Sequence, residues 1–200
     1  MARWIEQVVL EGEHVLLEPL GTEHASEIAE AVSDGELWRL WYTHIPTPEK
    51  VSAYIAAALG MRESEGALTF IIRLKSTGQL VGCSRYFNID ETNQRLEIGY
   101  TWYRKSVQRS AVNTESKLLL LTHAFESLNA IAVEFRTHWH NQASRNAIAR
   151  LGAKQDGVLR NHQRTADGSL RDTVVFSIIE CEWTSVKNGL QYKLMVHQKN

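Results

Sequence analysis

The sequence predicts a mixed α/β domain in which helices flank a central, mostly antiparallel sheet, and three observations carry that expectation. The first is the stretch from Leu96 to Phe125, where an alternating strand, a short polar loop and an amphipathic helix follow one another without interruption. The second is a pair of hairpins. One turns at Thr77–Gly78 between Phe70 and Phe87; the other turns at Asp167–Gly168, with Gly157 to Arg164 and Arg171 to Ile179 as its arms. The third is two helices whose ends are written in the sequence, one starting at Thr47 and one running from Asn141 to Gly152.

Taken in order, His14 to Val32 reads as an edge strand, a turn and a helix. The following segment holds Trp38, Trp41 and Tyr42, more large rings than a connector needs. Thr47 then caps a helix with Pro48 at its first position, Val51, Tyr54, Ile55 and Leu59 on one face, and Gly60 near its stop. In the strand that begins at Leu96, alternation places Leu96, Ile98 and Tyr100 on one face and Glu97, Gly99 and Thr101 on the other. The helix after it carries Leu118, Leu121, Phe125 and Leu128, with Leu119 widening the stripe. A further strand alternates Ile131, Val133 and Phe135 against Ala132, Glu134 and Arg136. Asn141 caps the next helix and Gly152 supplies the left-handed residue that ends it. Beyond Trp183 a short helix through Leu190 and an irregular end from His197 to Asn200 are expected.

No Pro/Gly/Ser-rich linker divides the chain, so the whole of 1–200 reads as a single domain, with a core over about 13–183 and a C-terminal tail over 184–200. Hydrophobic residues at 44% and charged residues at 22% are enough to bury a sizeable core, which excludes disorder as the main state. A net charge of −1 argues against a dedicated nucleic-acid binder, which needs a basic surplus to neutralise phosphates. Cys83 and Cys181 form no Cys-x-x-Cys pair and no signal peptide precedes them, which fits a reducing cytoplasm. No apolar run approaches the ~20 residues of a membrane-spanning helix. His138 and His140 alternate on a strand, but no third ligand stands at a recognisable spacing, so no metal is expected.

Residues 96–125 have the form of a phosphate-binding site. Arg104, Lys105 and Arg109 lead into a helix whose first N–H groups have no internal partners, so an anion there meets backbone donors and the positive end of the helix dipole. The main-chain N–H groups of Gln108, Arg109, Ser110, Ala111, Val112, Asn113 and Thr114 would supply those donors, with the Ser110 hydroxyl as a further one. Arg104 and Lys105 read equally well as ordinary solvated charges.

This stretch resembles the acetyl-CoA binding motif of the GNAT acetyltransferases, in particular the branch of ribosomal-protein N-terminal acetyltransferases. Gln108, Ala111 and Asn113 occupy the three defining positions of its Gln/Arg-x-x-Gly-x-Gly/Ala pattern, followed by Thr114, Glu115, Ser116 and Lys117; Ala111 stands where glycine usually stands. Three further segments match the same branch: His14 to Val32, Phe70 to Phe87, and the run with Asn141, Ser144, Asn146 and Leu151-Gly152-Ala153. The resemblance spans roughly Glu13 to Trp183.

The resemblance implies a GNAT fold and transfer of acetyl from acetyl-CoA to a primary amine. A protein N-terminus is the acceptor it favours, with a small-molecule amine, amino acid or antibiotic as the alternative and a non-catalytic coenzyme A-binding protein as a second one. It implies Glu97 as general base, with an ion pair to Arg85 or Arg95 as the structural reading of the same residue. It also implies Ser144 as proton donor to the coenzyme A sulfur and Asn141, with Asn146, on the cofactor side. A helix-capping role for Asn141 and Ser144 stands beside that assignment. The oxyanion would be held by main-chain N–H groups near Tyr100, Thr101 and Trp102. Trp38, Trp41, Tyr42 and Arg85 would border the acceptor, or the rings would instead seal the core. A homodimer could form through the aromatics near Trp38 and the segment with Trp183, Leu190 and Tyr192.

Overall fold

The structure, a computed structural model, describes residues 3–43, 45–165 and 167–197. Its strands are β1 (Leu10–Glu11), β2 (Val15–Pro19), β3 (Leu68–Leu74), β4 (Leu80–Asp90), β5 (Arg95–Tyr103), β6 (Ala132–His138), β7 (Lys154–Arg164) and β8 (Leu170–Ile179). Its helices are α1 (Ala25–Ser33), α2 (Val51–Glu65), α3 (Ala111–Thr122), α4 (Gln142–Leu151) and α5 (Glu180–His197), with a single π-helical stretch, His123–Ser127, extending α3. All eight strands join one sheet in the order β1-β2-β3-β4-β5-β6-β8-β7, antiparallel except where β5 and β6 run parallel. A parallel pair needs a crossover, and α3 supplies it.

The sheet carries a core on each face. Val15, Leu17, Phe70, Tyr86, Leu96, Ile98, Val133 and Phe135 face α3, α4 and α5, which contribute Leu120, Leu121, Ile148, Leu151, Trp183 and Leu190. On the other face Ile71, Leu80, Cys83 and Trp102 pack against Ile28, Val32, Val51 and Ile55 of α1 and α2. The caps expected of α4 are present: Asn141 Oδ1 accepts from the Ser144 N–H at 3.0 Å, and Gly152 sits at φ 104°.

Six expectations need correction. Val15–Pro19 is an interior strand, because Leu10–Glu11 pairs outside it. Helix α2 passes through Gly60, which faces open space, and ends at Gly66 with φ 73°. The stripe of α3 centres on Leu120 and Leu121 rather than Leu118, and Ile131 precedes β6 and is exposed. The segment read as a tail is mostly helix α5. Trp183 stacks on Phe125 with ring centroids 5.2 Å apart, and Leu190 is fully buried, so these two side chains are spent inside one chain and are not available to pair subunits. Of the expected irregular end, His197 closes α5 and residues 198–200 lie outside the described residues.

The sixth correction concerns β5. Cys83 pairs with Trp102 and Arg85 with Gly99, so Tyr100 and Thr101 together oppose the single residue Ser84. This is a β-bulge, with Tyr100 in the left-handed region at φ 49°. The extra residue breaks the alternation: Tyr100 meets Arg85 and Phe87 on the α1–α2 side, whereas Thr101 turns toward α3, where Lys117 reaches it.

The N-terminal hairpin is held to α3 by one buried carboxylate. Glu115 Oε1 accepts from the N–H of Glu13 at 2.9 Å, and its Oε2 accepts from those of His14 and Val15, both at 2.8 Å. Gly12 leaves room for it, since a Cβ there would lie 2.6 Å from the Glu115 carboxyl carbon.

Candidate active site

The parallel pairing of β5 with β6 stops at Glu97–Glu134. Beyond it the two strands part, β5 staying with β4 and β6 with β8. A cleft of about 1100 Å³ opens there, lined by Glu97 to Tyr103 on one side and by Phe135 to His138 on the other. Parting leaves backbone groups on the facing edges of β5 and β6 without a strand partner.

At one end of the cleft stands the N-terminus of α3. Ser110 caps it, accepting from the Val112 N–H at 3.3 Å, and the chain enters through Arg109 at φ 64°. Ala111 is the first residue of α3 and is not left-handed, so its methyl group meets no conformational penalty there. Lys105, Gln108, Arg109 and Asn113 line this end, joined by Asn146 and Arg150 from α4. The cationic side chains and the helix terminus together suit a phosphate-bearing group.

Other residues expected here have different duties. Arg104 is buried with its guanidinium donating to Leu80 O at 2.8 Å and to Glu30 at 3.0 Å, so it braces α1 against β4 and is not part of the cleft lining. The Ser110 hydroxyl donates to Val107 O at 2.7 Å and is not free for a ligand. The side chains of Val112 and Thr114 are buried. Arg85 lies under the Tyr100 ring, its guanidinium carbon 4.1 Å from the centroid, and donates to Thr69 Oγ1 at 2.6 Å. It holds Tyr100 from below and is closed off from an acceptor. Of the three rings near α1, Tyr42 lines the cleft, Trp38 packs on the α1–α2 core, and Trp41 stands 60% exposed with its edge to His138.

Where the two strands part lies Glu97, 4% exposed. Its carboxylate accepts from Asn88 Nδ2 at 2.8 Å and sits 3.5 Å from Arg136, not beside Arg85 or Arg95. Arg95 pairs instead with Glu134. Burial pushes the Glu97 pKa up from 4.5 to about 7, outweighing Asn88 and Arg136, which pull the other way. A carboxyl poised near neutral pH can take up and release a proton. Asn141 and Ser144 line the same cleft, and the Ser144 hydroxyl is engaged by none of the described residues.

Sequence reasoning did not single out Lys117. It is 4% exposed and its Nζ donates to Ser84 Oγ at 2.8 Å and Thr101 Oγ1 at 2.6 Å, clamping the bulge from the α3 side. Burial lowers its pKa from 10.5 to about 7. Folding therefore releases a proton between pH 7 and 10.5. The cost of burying this amine is fully felt below pH 7 and fades as pH rises toward 10.5. We expect Lys117→Met to raise stability by about 1–3 kcal/mol at pH 7, with a smaller gain at pH 9.5. Urea unfolding at both values checks this, and equal changes at the two pH values would refute it. Cys83, fully buried with its thiol pKa pushed up to about 12, is not a reactive group.

Among known proteins, the acetyltransferase (GNAT) domain family matches residues 14–154. The chain belongs to this family. It is an N-acetyltransferase on the GNAT fold. One relative, named "Putative ribosomal N-acetyltransferase YdaF" in Bacillus subtilis (strain 168), is 27% identical over 179 residues, 88% of this chain and 96% of the relative. That kinship agrees with the resemblance to the ribosomal-protein branch. A GCN5-related N-acetyltransferase from Brucella melitensis has a crystal structure that superposes with a TM-score of 0.85 at 27% identity, over 96% of this chain and 87% of the other. The microcin C7 self-immunity acetyltransferase MccE, solved in complex with acetyl-CoA and AMP, shares the fold at a TM-score of 0.72 and 17% identity, over 84% and 93% of the two chains. No helix among the described residues is long and apolar enough to cross a membrane, and no group of three potential metal ligands occurs among them.

Proposed function

We propose that the GNAT cleft of this chain binds acetyl-CoA and transfers its acetyl group to the α-amino group of a protein N-terminus. The observation that carries the reading is the parting of β5 and β6 between a cation-lined helix N-terminus and the buried Glu97. Acetyl-CoA supplies an acetyl group activated as a thioester. Lys105, Arg109 and Arg150, with the first N–H groups of α3, hold its phosphates. Free backbone groups along 98–103 hold the extended arm and offer an N–H to the developing oxyanion. Asn141 and Ser144 line the opposite wall, and the Ser144 hydroxyl gives a proton to the departing sulfur.

Glu97 takes the proton from the incoming ammonium. An α-amino group, with a pKa of about 8, is matched to a base near 7, whereas a lysine amine at about 10.4 is not. The ribosomal name of the B. subtilis relative supports the same acceptor.

Calorimetric titration with acetyl-CoA tests the donor assignment. A micromolar isotherm of about −8 kcal/mol is expected; no detectable heat would overturn it. The double variant Arg109→Ala, Arg150→Ala should weaken acetyl-CoA by about 1.5–3 kcal/mol and leave a phosphate-free acetyl-pantetheine fragment nearly unaffected. Equal losses for both ligands would reject the phosphate assignment.

A further inference from the structure

Helices α1 and α2 cover β3, β4 and the Trp102 end of β5, and the same face of the sheet continues beyond them across β6, β8 and β7. Cross-strand register places Arg136 and His138 of β6 on that face, with Thr173 of β8 opposite His138. Arg171, two residues from Thr173, shares it. Glu97 and Tyr100 of β5 lie alongside, and Arg171 is close enough for its charge to act on Glu97, Tyr100 and His138. This polar face forms the acceptor end of the cleft.

Its cations are not equivalent. Arg39 is paired with Glu36 at 2.9 Å, and Arg136 with Glu134 at 2.9 Å and Glu97 at 3.5 Å. Arg171 is half-buried and makes no ion pair among the described residues. Its Nε donates to Thr173 Oγ1 at 3.0 Å, which orients the guanidinium and leaves its two terminal nitrogens free. Glu97 acts on this guanidinium only at a distance, and a ligand carboxylate would satisfy the terminal nitrogens directly.

His138 provides an independent second donor. It is 4% exposed, and its Nδ1 accepts from the His140 N–H at 3.1 Å, so the neutral ring carries its proton on Nε2. That Nε2 is buried with no partner among the described residues. The cleft thus presents a carboxylate, Glu97, suited to an ammonium, and beside it two unspent donors suited to an anion.

We propose that Arg171 and His138 select acceptors that carry a carboxylate beside the reacting amine, supplied by an acidic side chain at the start of a protein N-terminus. Arg171 takes the carboxylate, His138 Nε2–H adds a second hydrogen bond, and Glu97 receives the amine. The assignment rests on the N-terminal acetyltransferase reading above and narrows it to one charge class.

The test is a steady-state assay with acetyl-CoA on pairs of acceptors that differ only in carboxylate against amide. One series is peptides beginning Ala-Glu or Ala-Gln and Ser-Asp or Ser-Asn; the other is free serine against serinamide. The carboxylate member of each peptide pair is expected to have a kcat/KM about tenfold higher or more. Arg171→Gln should bring that ratio to within about twofold of unity, and Arg171→Lys should keep part of it. Acetyl-CoA titration of each variant reports that the fold is kept. Turnover of both peptide members at equal rates, or a preference that survives Arg171→Gln, would overturn the proposal while leaving the N-terminal reading standing. A preference seen only with free serine would transfer the carboxylate to a small molecule and overturn the peptide source. Absence of turnover on every acceptor would overturn the underlying reading itself.

Discussion

Replacing Glu97 by glutamine is expected to lower kcat by about tenfold to a hundredfold while the affinity for acetyl-CoA stays the same. Under the proposed mechanism only the carboxylate form accepts the amine's proton, and burial holds its pKa near 7. The wild-type rate should therefore rise with pH through about 7. In the Glu97→Gln enzyme the component near 7 should vanish, since the amide does not titrate, leaving only the rise set by the amine's own pKa of about 8. Stability gives an independent reading. The folded-state pKa is raised above 4.5, so folding favours the protonated form, and the contribution present below pH 4.5 is lost as pH rises through about 7. Glu97→Gln should thus gain stability relative to wild type at pH 8 compared with pH 4. An unchanged kcat with an unchanged pH profile would remove Glu97 from the chemistry and leave it as a partner of Asn88 and Arg136.

The largest loss of stability is expected from Glu115→Ala, about 3–5 kcal/mol. The substitution strips one acceptor group from three backbone N–H groups at once, those of Glu13, His14 and Val15. The Val15 N–H is buried and would carry its full desolvation cost, with smaller costs at the part-buried N–H groups of Glu13 and His14. The cavity behind Gly12 would admit some water, which sets the lower bound. Denaturant unfolding of the variant checks the figure, and a loss below about 1 kcal/mol would show that the hairpin finds other partners. Glu115→Asp, whose carboxylate is one methylene short, should fall between the two. If Glu115→Ala does not fold, this variant still reports the effect.

Features that depend on neighbours in sequence were legible. The Asn141 cap, the left-handed Gly152, the two hairpin turns and the strand–loop–helix unit around α3 all follow from local backbone chemistry, and each is in its expected place. What the sequence hides is which distant side chain takes which charge. Arg104 reads as a phosphate ligand until Glu30, 74 residues away, is seen to hold it. Glu97 pairs with Arg136 because β6 runs alongside β5, a parallel pairing that no local pattern specifies. Lys117 stands in a leucine-rich helix and looks like a surface charge, yet the bulge turns Thr101 toward it. That bulge is a single inserted residue with no compositional mark, and it transposes Tyr100 and Thr101 relative to simple alternation. Sequence alone ends α5 too early because Gly189 interrupts it and Tyr192, Met195 and Val196 face outward, whereas Trp183 and Leu190 fix it to the core.

The parting of β5 and β6 also bears on self-association. Unpaired strand edges at the rim of a sheet invite pairing with other polypeptides and are a common start for aggregation. Here the spare edges lie in the middle of the sheet, with β4 outside one and β8 outside the other. A ligand lying in that wedge meets those donors inside the sheet, away from its rim. The protein can keep unpaired backbone donors ready for a ligand throughout its life without offering them as a template for fibrils.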